Sequence, residues 1–170
     1  DEDTANYCVL SPINYRTSAP TPQLSNGNLT FKQTSGGSSS IGAATFGVTS
    51  GKWYYEATYN VSGGGTSMLG WFYGQLSSAT ANDLGFLFNE YSYRNNATKY
   101  NNNSGVAYGA TWGNGDVLGC ALDLDAGTMT FYKNNISQGV AYTSLPAGTW
   151  TPGFDTYNSN SFDVNFGQRP

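Results

Sequence analysis

Apolar and polar residues alternate with a period of two along much of this 170-residue chain. Between residues 52 and 61 the odd positions are apolar or aromatic, and most of the even positions are polar. The same alternation recurs over residues 116–125, 128–133 and 161–166. A period of two predicts β-strands that bury one face. The predicted core positions on these strands are Trp53, Tyr55, Ala57, Tyr59, Val61, Leu118, Cys120, Leu122, Leu124, Met129, Phe131, Phe162, Val164 and Phe166.

Other segments do not follow this alternation. Residues 68–73 and 84–88 are apolar on both faces, which predicts central strands that are covered on both sides. Residues 35–40, 62–66 and 89–104 are rich in Gly, Ser, Asn or Tyr and are predicted to lie outside the strands. The last of these is the longest polar stretch, and long loops on compact β domains often carry function.

Turn sequences separate the predicted strands. Asn26-Gly27 and Asn114-Gly115 are strong turn signals, because both residue types tolerate positive φ. Residues 125–127 and 133–136 are predicted to close tight hairpins. Roughly a dozen short strands with regular turns, and no helical periodicity, indicate an all-β sandwich or barrel. The length suits one domain over residues 1–170.

Composition narrows the classes of partner. Only 11% of the residues are charged, the net charge is −4 and the pI is about 4.4. This balance argues against nucleic acid, which is bound by clustered Lys and Arg, and against anionic membrane surfaces. No apolar stretch is long enough for membrane insertion. The chain starts Asp1-Glu2-Asp3 without an initiator Met or a visible signal peptide, so we expect a piece of a longer protein or a processed product.

The residues needed for common catalytic sites are missing. The chain has no histidine, which removes Ser-His and Cys-His nucleophilic sites and the usual zinc ligand sets. Asp123 and Asp125 share a strand face, where capping of a hairpin turn is the favoured interpretation. A calcium site and a glycosidase carboxylate pair are the alternatives. We therefore predict no catalytic residue, no metal and no cofactor.

Two cysteines, Cys8 and Cys120, leave the redox setting open. Free thiols are among the most buried side chains, and two cysteines are too few for a disulfide framework. Buried free thiols are the favoured prediction, with a single disulfide as the alternative.

Several segments together resemble the SPRY (B30.2-like) family. Residues 115–125 (GDVLGCALDLD) and 127–134 (GTMTFYKN) are similar to its signature hairpin, and residues 50–56 (SGKWYYE) to an early strand. Residues 99–102 (KYNN) and 164–170 (VNFGQRP) resemble two further motifs. The resemblance covers residues 47–170, preceded by N-terminal strands over residues 1–46.

The N-terminal part is similar to phage structural and tail-fibre proteins that contain SPRY domains, at residues 7–12 and 24–30. The resemblance implies a bent antiparallel β-sandwich of the concanavalin-like jelly-roll type. It implies no catalysis and no cofactor, and ligand binding through loops at one end of the sandwich.

Candidate binding residues come from the resemblance and from composition. The family's ligand-contacting positions correspond to Tyr100 and Tyr157, and Asn101 stands where the family often has His. Loops rich in Tyr, Asn and Ser are also typical of recognition surfaces. The alternative for the tyrosines is a structural place in an exposed sheet, and Trp71, Trp112 and Trp150 are predicted core residues. The predicted ligand-binding residues are Tyr91, Tyr93, Arg94, Tyr100, Asn101, Asp155, Tyr157 and Asn158.

The sequence favours a non-catalytic recognition module. The leading hypothesis is binding of a host cell-surface glycan or protein by a phage tail fibre or other virion appendage, outside the cell. One alternative is a SPRY domain that binds a peptide or protein. Another is a decoration or assembly domain that contacts a neighbouring structural subunit, and a jelly-roll glycosidase is the last.

Overall fold

The computed structural model describes residues 7–17, 21–34, 37, 39–76 and 83–168. Within these ranges the chain forms fourteen β-strands and no helix. The strands are β1 (Leu10–Thr17), β2 (Gln23–Ser25), β3 (Thr30–Lys32), β4 (Ser39–Ala44), β5 (Lys52–Asn60), β6 (Met68–Tyr73), β7 (Glu90–Arg94), β8 (Thr98–Asn101), β9 (Ser104–Ala107), β10 (Val117–Asp123), β11 (Thr128–Lys133), β12 (Ile136–Tyr142), β13 (Trp150–Tyr157) and β14 (Ser161–Asn165). The described residues contain no helix that could span a membrane.

The strands form two seven-stranded antiparallel sheets. Sheet A has the order β1-β4-β13-β6-β7-β8-β9, and sheet B has the order β12-β11-β10-β5-β14-β3-β2. Strands from residues 1–46 and from residues 47–170 are present in both sheets. The predicted all-β antiparallel sandwich is confirmed.

The inner faces of the two sheets enclose one aromatic core. Tyr55 of β5 packs against Trp71 of β6 and Phe154 of β13, with ring centroids 5.6 and 5.2 Å apart. The three tryptophans predicted in the core, Trp71, Trp112 and Trp150, are at most 4% exposed. Apart from Trp53, the alternating positions of β5, β10, β11 and β14 are likewise buried, which confirms the period-two prediction there.

The prediction is wrong at both ends of β5. Trp53 is 40% exposed and Val61 is 43% exposed. Trp53 is the second residue of the strand, and Val61 follows its last residue. Both positions lie at the limits of the strand, outside the buried core cluster that Tyr55, Ala57 and Tyr59 join.

Two segment predictions on sheet A are also wrong. Residues 84–88 form no strand and instead cross the outer face of the sheet, where Leu84 packs with Ile41 and Met68. Residues 89–104 contain β7, β8 and the first residue of β9. Residues 39 and 40 begin β4, whereas residues 35, 36 and 38 lie outside the described residues, and residues 62–66 are a loop as predicted.

The hairpin predictions are confirmed. Asn134 and Asn135 have φ of 50° and 64°, as the two-residue turn between β11 and β12 requires. The main-chain N–H of Ala126 donates to Asp123 Oδ1 at 2.9 Å, so this carboxylate caps the β10–β11 turn. Among the described residues, no group of three or more Cys, Asp and Glu could hold a metal ion. Both cysteines are free, and Cys120 is fully buried.

Candidate functional site

The connection between β6 and β7 is bonded to the outer face of sheet A. The N–H of Leu84 donates to Asp155 Oδ2 at 2.9 Å, and the N–H of Gly85 donates to Glu90 Oε2 at 2.9 Å. The hydroxyl of Ser92 donates to the carbonyl of Leu84 at 2.7 Å. Side chains of β7 and β13 therefore fix the path of residues 84–88 over the sheet.

Buried charge lies beneath this connection. Arg16 of β1 and Glu90 of β7 form an ion pair of 2.7 Å, with side chains 3% and 1% exposed. Burial raises the pKa of Asp155 well above its ordinary value, and the neighbouring Asp83 and Glu90 carboxylates raise it further. The hydrogen bond from the Leu84 N–H and the Arg16 guanidinium act in the opposite direction. Asp155 Oδ1 has no hydrogen-bond partner in the described part of the chain. These surroundings favour the neutral form of Asp155 more than water favours it for an exposed aspartate.

Three side chains on this face form what we call the recognition ridge: Phe86, Tyr100 and Arg94. The rings of Phe86 and Tyr100 are parallel, with centroids 5.7 Å apart and an interplanar angle of 1°. The Arg94 guanidinium carbon lies 5.2 Å from the centroid of the Tyr100 ring, and Arg94 Nη1 donates to the Tyr100 hydroxyl at 3.2 Å. All three side chains are partly exposed.

The ridge holds a cation without a counter-ion. Arg94 has no ion pair with any described residue, and its buried Nε has no hydrogen-bond partner among them. Among the described residues, Arg16, Lys52 and Lys133 are each paired with a carboxylate, whereas Lys32 and Lys99 share with Arg94 the lack of an ion pair, and Lys99 instead donates to the carbonyl of Ala141. A guanidinium offers five N–H donors, so Arg94 can still donate to an acceptor on a bound molecule.

Glycine permits the close approach that builds the ridge. Gly85 has φ of +100°, and a Cβ there would lie 2.5 Å from Ser92 Oγ and 2.7 Å from Tyr100 Cβ. On the other side of Tyr100, a Cβ at Gly105 would lie 2.5 Å from its Cζ. The Tyr100 ring therefore lies over the main chain of the edge strand β9.

Other predicted site residues lie nearby in structural roles. Asn101 Nδ2 donates to the carbonyls of Phe88 and Glu90 at 3.0 and 2.9 Å. Asn158 Nδ2 donates to the carbonyl of Gly64 at 2.8 Å. Tyr157 is partly exposed at the end of β13 and packs against Gly65, where a Cβ would lie 2.2 Å from Tyr157 Cδ1.

The remaining two tyrosines face the interior. Tyr91 packs edge-on against Tyr142, with centroids 5.0 Å apart, and is partly buried. Tyr93 is fully buried, its hydroxyl donates to the carbonyl of Ala110, and burial raises its pKa to about 12. A ligand at the surface does not reach the Tyr93 ring. Both residues are strand residues of β7, but they pack in or against the core rather than on an exposed sheet surface.

Phe86 is a member of the ridge that is absent from the predicted ligand-binding residues. The apolar neighbours of Phe86 predict a central strand instead. Gly85, next to it, was the available signal, since a glycine inside a strand pattern often marks a close approach of two chain segments.

Comparison with known proteins identifies the family. A model of the SPRY domain family matches residues 52–169. The chain belongs to the SPRY domain family. The SPRY domain of human HERC1 has the same fold, with a TM-score of 0.76 over 95% of this chain and 99% of that chain, at 21% identity. SPRY domains are protein-interaction modules, and the domain itself is not catalytic.

Curated relatives are much longer than the matched region. E3 ubiquitin-protein ligase RKP of Arabidopsis thaliana is 28% identical over 127 residues, which are 72% of this chain and 10% of the relative. ATP-dependent RNA helicase Ddx1 of Drosophila melanogaster is 35% identical over 130 residues, 74% of this chain and 17% of the relative. Ran-binding protein 10 of Danio rerio is 43% identical over 68 residues, which are 39% of this chain and 11% of the relative.

These relatives bear on the leading hypothesis from the sequence, that a phage tail fibre or virion appendage binds a host receptor. They come from a plant, an insect and a fish, and none of them supports the phage tail-fibre setting or a glycan receptor. The alternative of a SPRY protein-interaction domain agrees better with the family.

Proposed function

We propose that this domain binds a short segment of a partner protein at the recognition ridge on the outer face of sheet A. The observation that carries the proposal is the Arg94 guanidinium, held against Tyr100 with no counter-ion among the described residues. Its free donors would bind a carboxylate or a main-chain carbonyl of the partner. Because the side chains of the ridge already pack together, binding costs little further side-chain entropy.

The surroundings of Arg94 support a specific contact. An acceptor that approaches Arg94 meets the Tyr100 ring on one side, which limits access of water and strengthens the hydrogen bond. Tyr and Arg are also the residue types that most often dominate interface energies. Tyr157 projects from the same face of sheet A, because it follows Asp155 at the strand period of two, and it would bind an adjoining part of the partner.

The experiment begins with selection of linear peptides from a random library against the purified domain. The affinity of a selected peptide is then measured for the unsubstituted domain and for Arg94→Gln, Tyr100→Ala and Tyr54→Ala. Tyr54 is the matched control, since its ring is 49% exposed on the outer face of sheet B. The proposal predicts that the first two substitutions weaken binding about tenfold or more.

Two results would contradict the proposal. One is a selected peptide that binds the Arg94→Gln and Tyr100→Ala variants as tightly as the unsubstituted domain. The other is a library that yields no binder although the domain is folded.

A further inference from the structure

Four strands lie at the edges of the two sheets: β1 and β9 in sheet A, and β12 and β2 in sheet B. An edge strand presents unpaired main-chain N–H and C=O groups that can pair with another chain. Native proteins usually protect such edges with proline, bulges, charges, capping side chains or very short strands.

The edge strand β1 is protected along its first half. Pro12 has no main-chain N–H, and the register with β4 shifts between Leu10 and Tyr15. The Ser11 hydroxyl oxygen accepts from the N–H of Asn14 at 3.1 Å. The edge strand β2 has only three residues.

The edge strand β12 is capped by side chains. Lys99 Nζ donates to the carbonyl of Ala141, and the Tyr108 hydroxyl donates to the carbonyl of Gly139 at 2.6 Å. Gln138 Nε2 donates to the carbonyl of Ile136 at 2.8 Å. The register with β11 also shifts twice. The carbonyls of Gly139 and Ala141 are therefore already bonded to side chains, and the shifted register makes this edge irregular.

The edge strand β9 has neither proline nor charge. Its four residues, Ser104-Gly105-Val106-Ala107, are all exposed. No register shift occurs along its pairing with β8, and no side chain of the described residues bonds its main chain. Val106 is an exposed apolar residue on this strand, at 53%.

The hairpin geometry fixes which groups of β9 are free. Asn102 and Asn103 have φ of 51° and 56°, which is a two-residue turn, and in such a hairpin the flanking residues form a hydrogen-bonded pair. Ser104 and Val106 therefore bond β8. Tyr108 continues this alternation, because its N–H donates to the carbonyl of Ala97 at 2.9 Å. Gly105 and Ala107 therefore direct their N–H and C=O groups away from the sheet.

We infer that the partner segment pairs with β9 as an added strand of sheet A. This inference rests on the proposed function and specifies how the same partner binds. Gly105 and Ala107 each offer one donor and one acceptor at strand spacing, and an extended main chain is the chemical group that matches this pattern. A partner side chain beside Gly105 on the outer face meets the Tyr100 ring, which covers that glycine, and the adjoining Arg94 guanidinium.

The two parts of the site then have different roles. Hydrogen bonds to β9 bind any extended segment and set its register. Arg94 and Tyr100 select the side chain or acceptor beside Gly105.

The first test is Ala107→Pro, which removes one outward N–H without changing the ridge. Proline is tolerated on an edge strand, and thermal unfolding checks that the variant remains folded. We expect a library-selected peptide to bind this variant about tenfold more weakly or worse, because one of its carbonyls loses its donor. Ala107→Val keeps the N–H and is expected to bind better than Ala107→Pro.

The second test leaves the protein unchanged. Each main-chain nitrogen of the selected peptide is methylated in turn, and the affinity of each methylated peptide is measured. Strand addition predicts that alternate positions are sensitive and that the positions between them serve as matched controls. If methylation weakens binding at positions that do not alternate along the peptide, the inference is overturned.

The outcomes separate the two proposals. If Ala107→Pro and every methylated peptide bind normally while Arg94→Gln binds weakly, the ridge is the site and strand addition is wrong. If no library peptide binds, both proposals fail. If light scattering shows a dimer that Ala107→Pro dissociates, and no peptide binds, the occupant of β9 is a second copy of the chain and the inference is overturned.

Discussion

Arg16 and Glu90 form an ion pair of 2.7 Å in which both side chains are almost fully buried. The pair joins β1 to β7, and the second oxygen of Glu90 accepts from the N–H of Gly85. The Glu90 carboxylate thus connects the edge strand β1, its own strand β7 and the segment that carries Phe86. The position of the recognition ridge depends on this connection.

Loss of the Glu90 charge should destabilise the domain strongly. Glu90→Gln removes the carboxylate that pairs with the buried Arg16 guanidinium, and breaking a buried ion pair from one side costs about 3–5 kcal/mol. Urea unfolding measures the change, and Lys52→Gln is the control, because it breaks the exposed Lys52 to Asp123 pair and should change stability little. Equal effects of the two substitutions would contradict the account.

Asp155 should make stability depend on pH. Its folded pKa is raised by burial, so the folded state binds the proton more tightly than an unfolded aspartate with a pKa of about 3.9. The stabilisation is present at low pH and is lost as the pH rises through the raised pKa. Asp155→Asn keeps an acceptor for the N–H of Leu84, so its free energy of unfolding should increase relative to the unsubstituted protein as the pH rises. A difference that stays constant with pH, in urea unfolding at several pH values, would contradict this.

Gly85→Ala should displace the segment that carries Phe86. The new Cβ would collide with Ser92 and Tyr100, and the residue would keep a positive φ. Gly74→Ala is the matched control in the same connection, since Gly74 has φ of +78° but no atom within 4 Å of an added Cβ. We expect a lower melting temperature and weaker peptide binding for Gly85→Ala than for the control. Equal losses of stability and binding in the two variants would show that the strain of a positive φ, and not the collision with Ser92 and Tyr100, causes the effect at Gly85.

The thiols should be unreactive in the folded protein. Burial raises the pKa of Cys8 to about 11, so about one molecule in a thousand carries its thiolate near pH 8. Cys120 is fully buried, and burial raises its pKa still more. Alkylation monitored by mass spectrometry should be slow until denaturant is added. Rapid labelling of Cys120 in the native protein would contradict the position of β10 in the core.

The sequence predicted sheet B better than the outer face of sheet A, and the reason is physical. Tyr55 and Phe131 alternate with polar residues at the surface, which produces a clear period of two. Around Tyr91 and Tyr93 the intervening residues are also partly or fully buried, because Glu90 and Ser92 bond the β6–β7 connection. Polar side chains on that face therefore bond another segment of the chain instead of facing solvent.

The missed edge strand has a similar explanation. Asn102-Asn103 is the same turn dipeptide as Asn134-Asn135, which was used to predict a hairpin. The residues after the first turn, Ser104 to Ala107, lack the alternation that follows from one buried face, since all four are exposed. Candidate residues Arg94 and Tyr100 could be named from the sequence, but their contact with Phe86 depends on a connection that crosses the sheet.

The most direct test of the central claim is amide hydrogen exchange of the domain with and without a library-selected peptide. The account predicts slower exchange on binding in β8, β9 and residues 84–88, next to Arg94 and Tyr100, with no change on the outer face of sheet B. Protection confined to β5, β10 and β11 would contradict it, because the partner would then bind the opposite face of the sandwich.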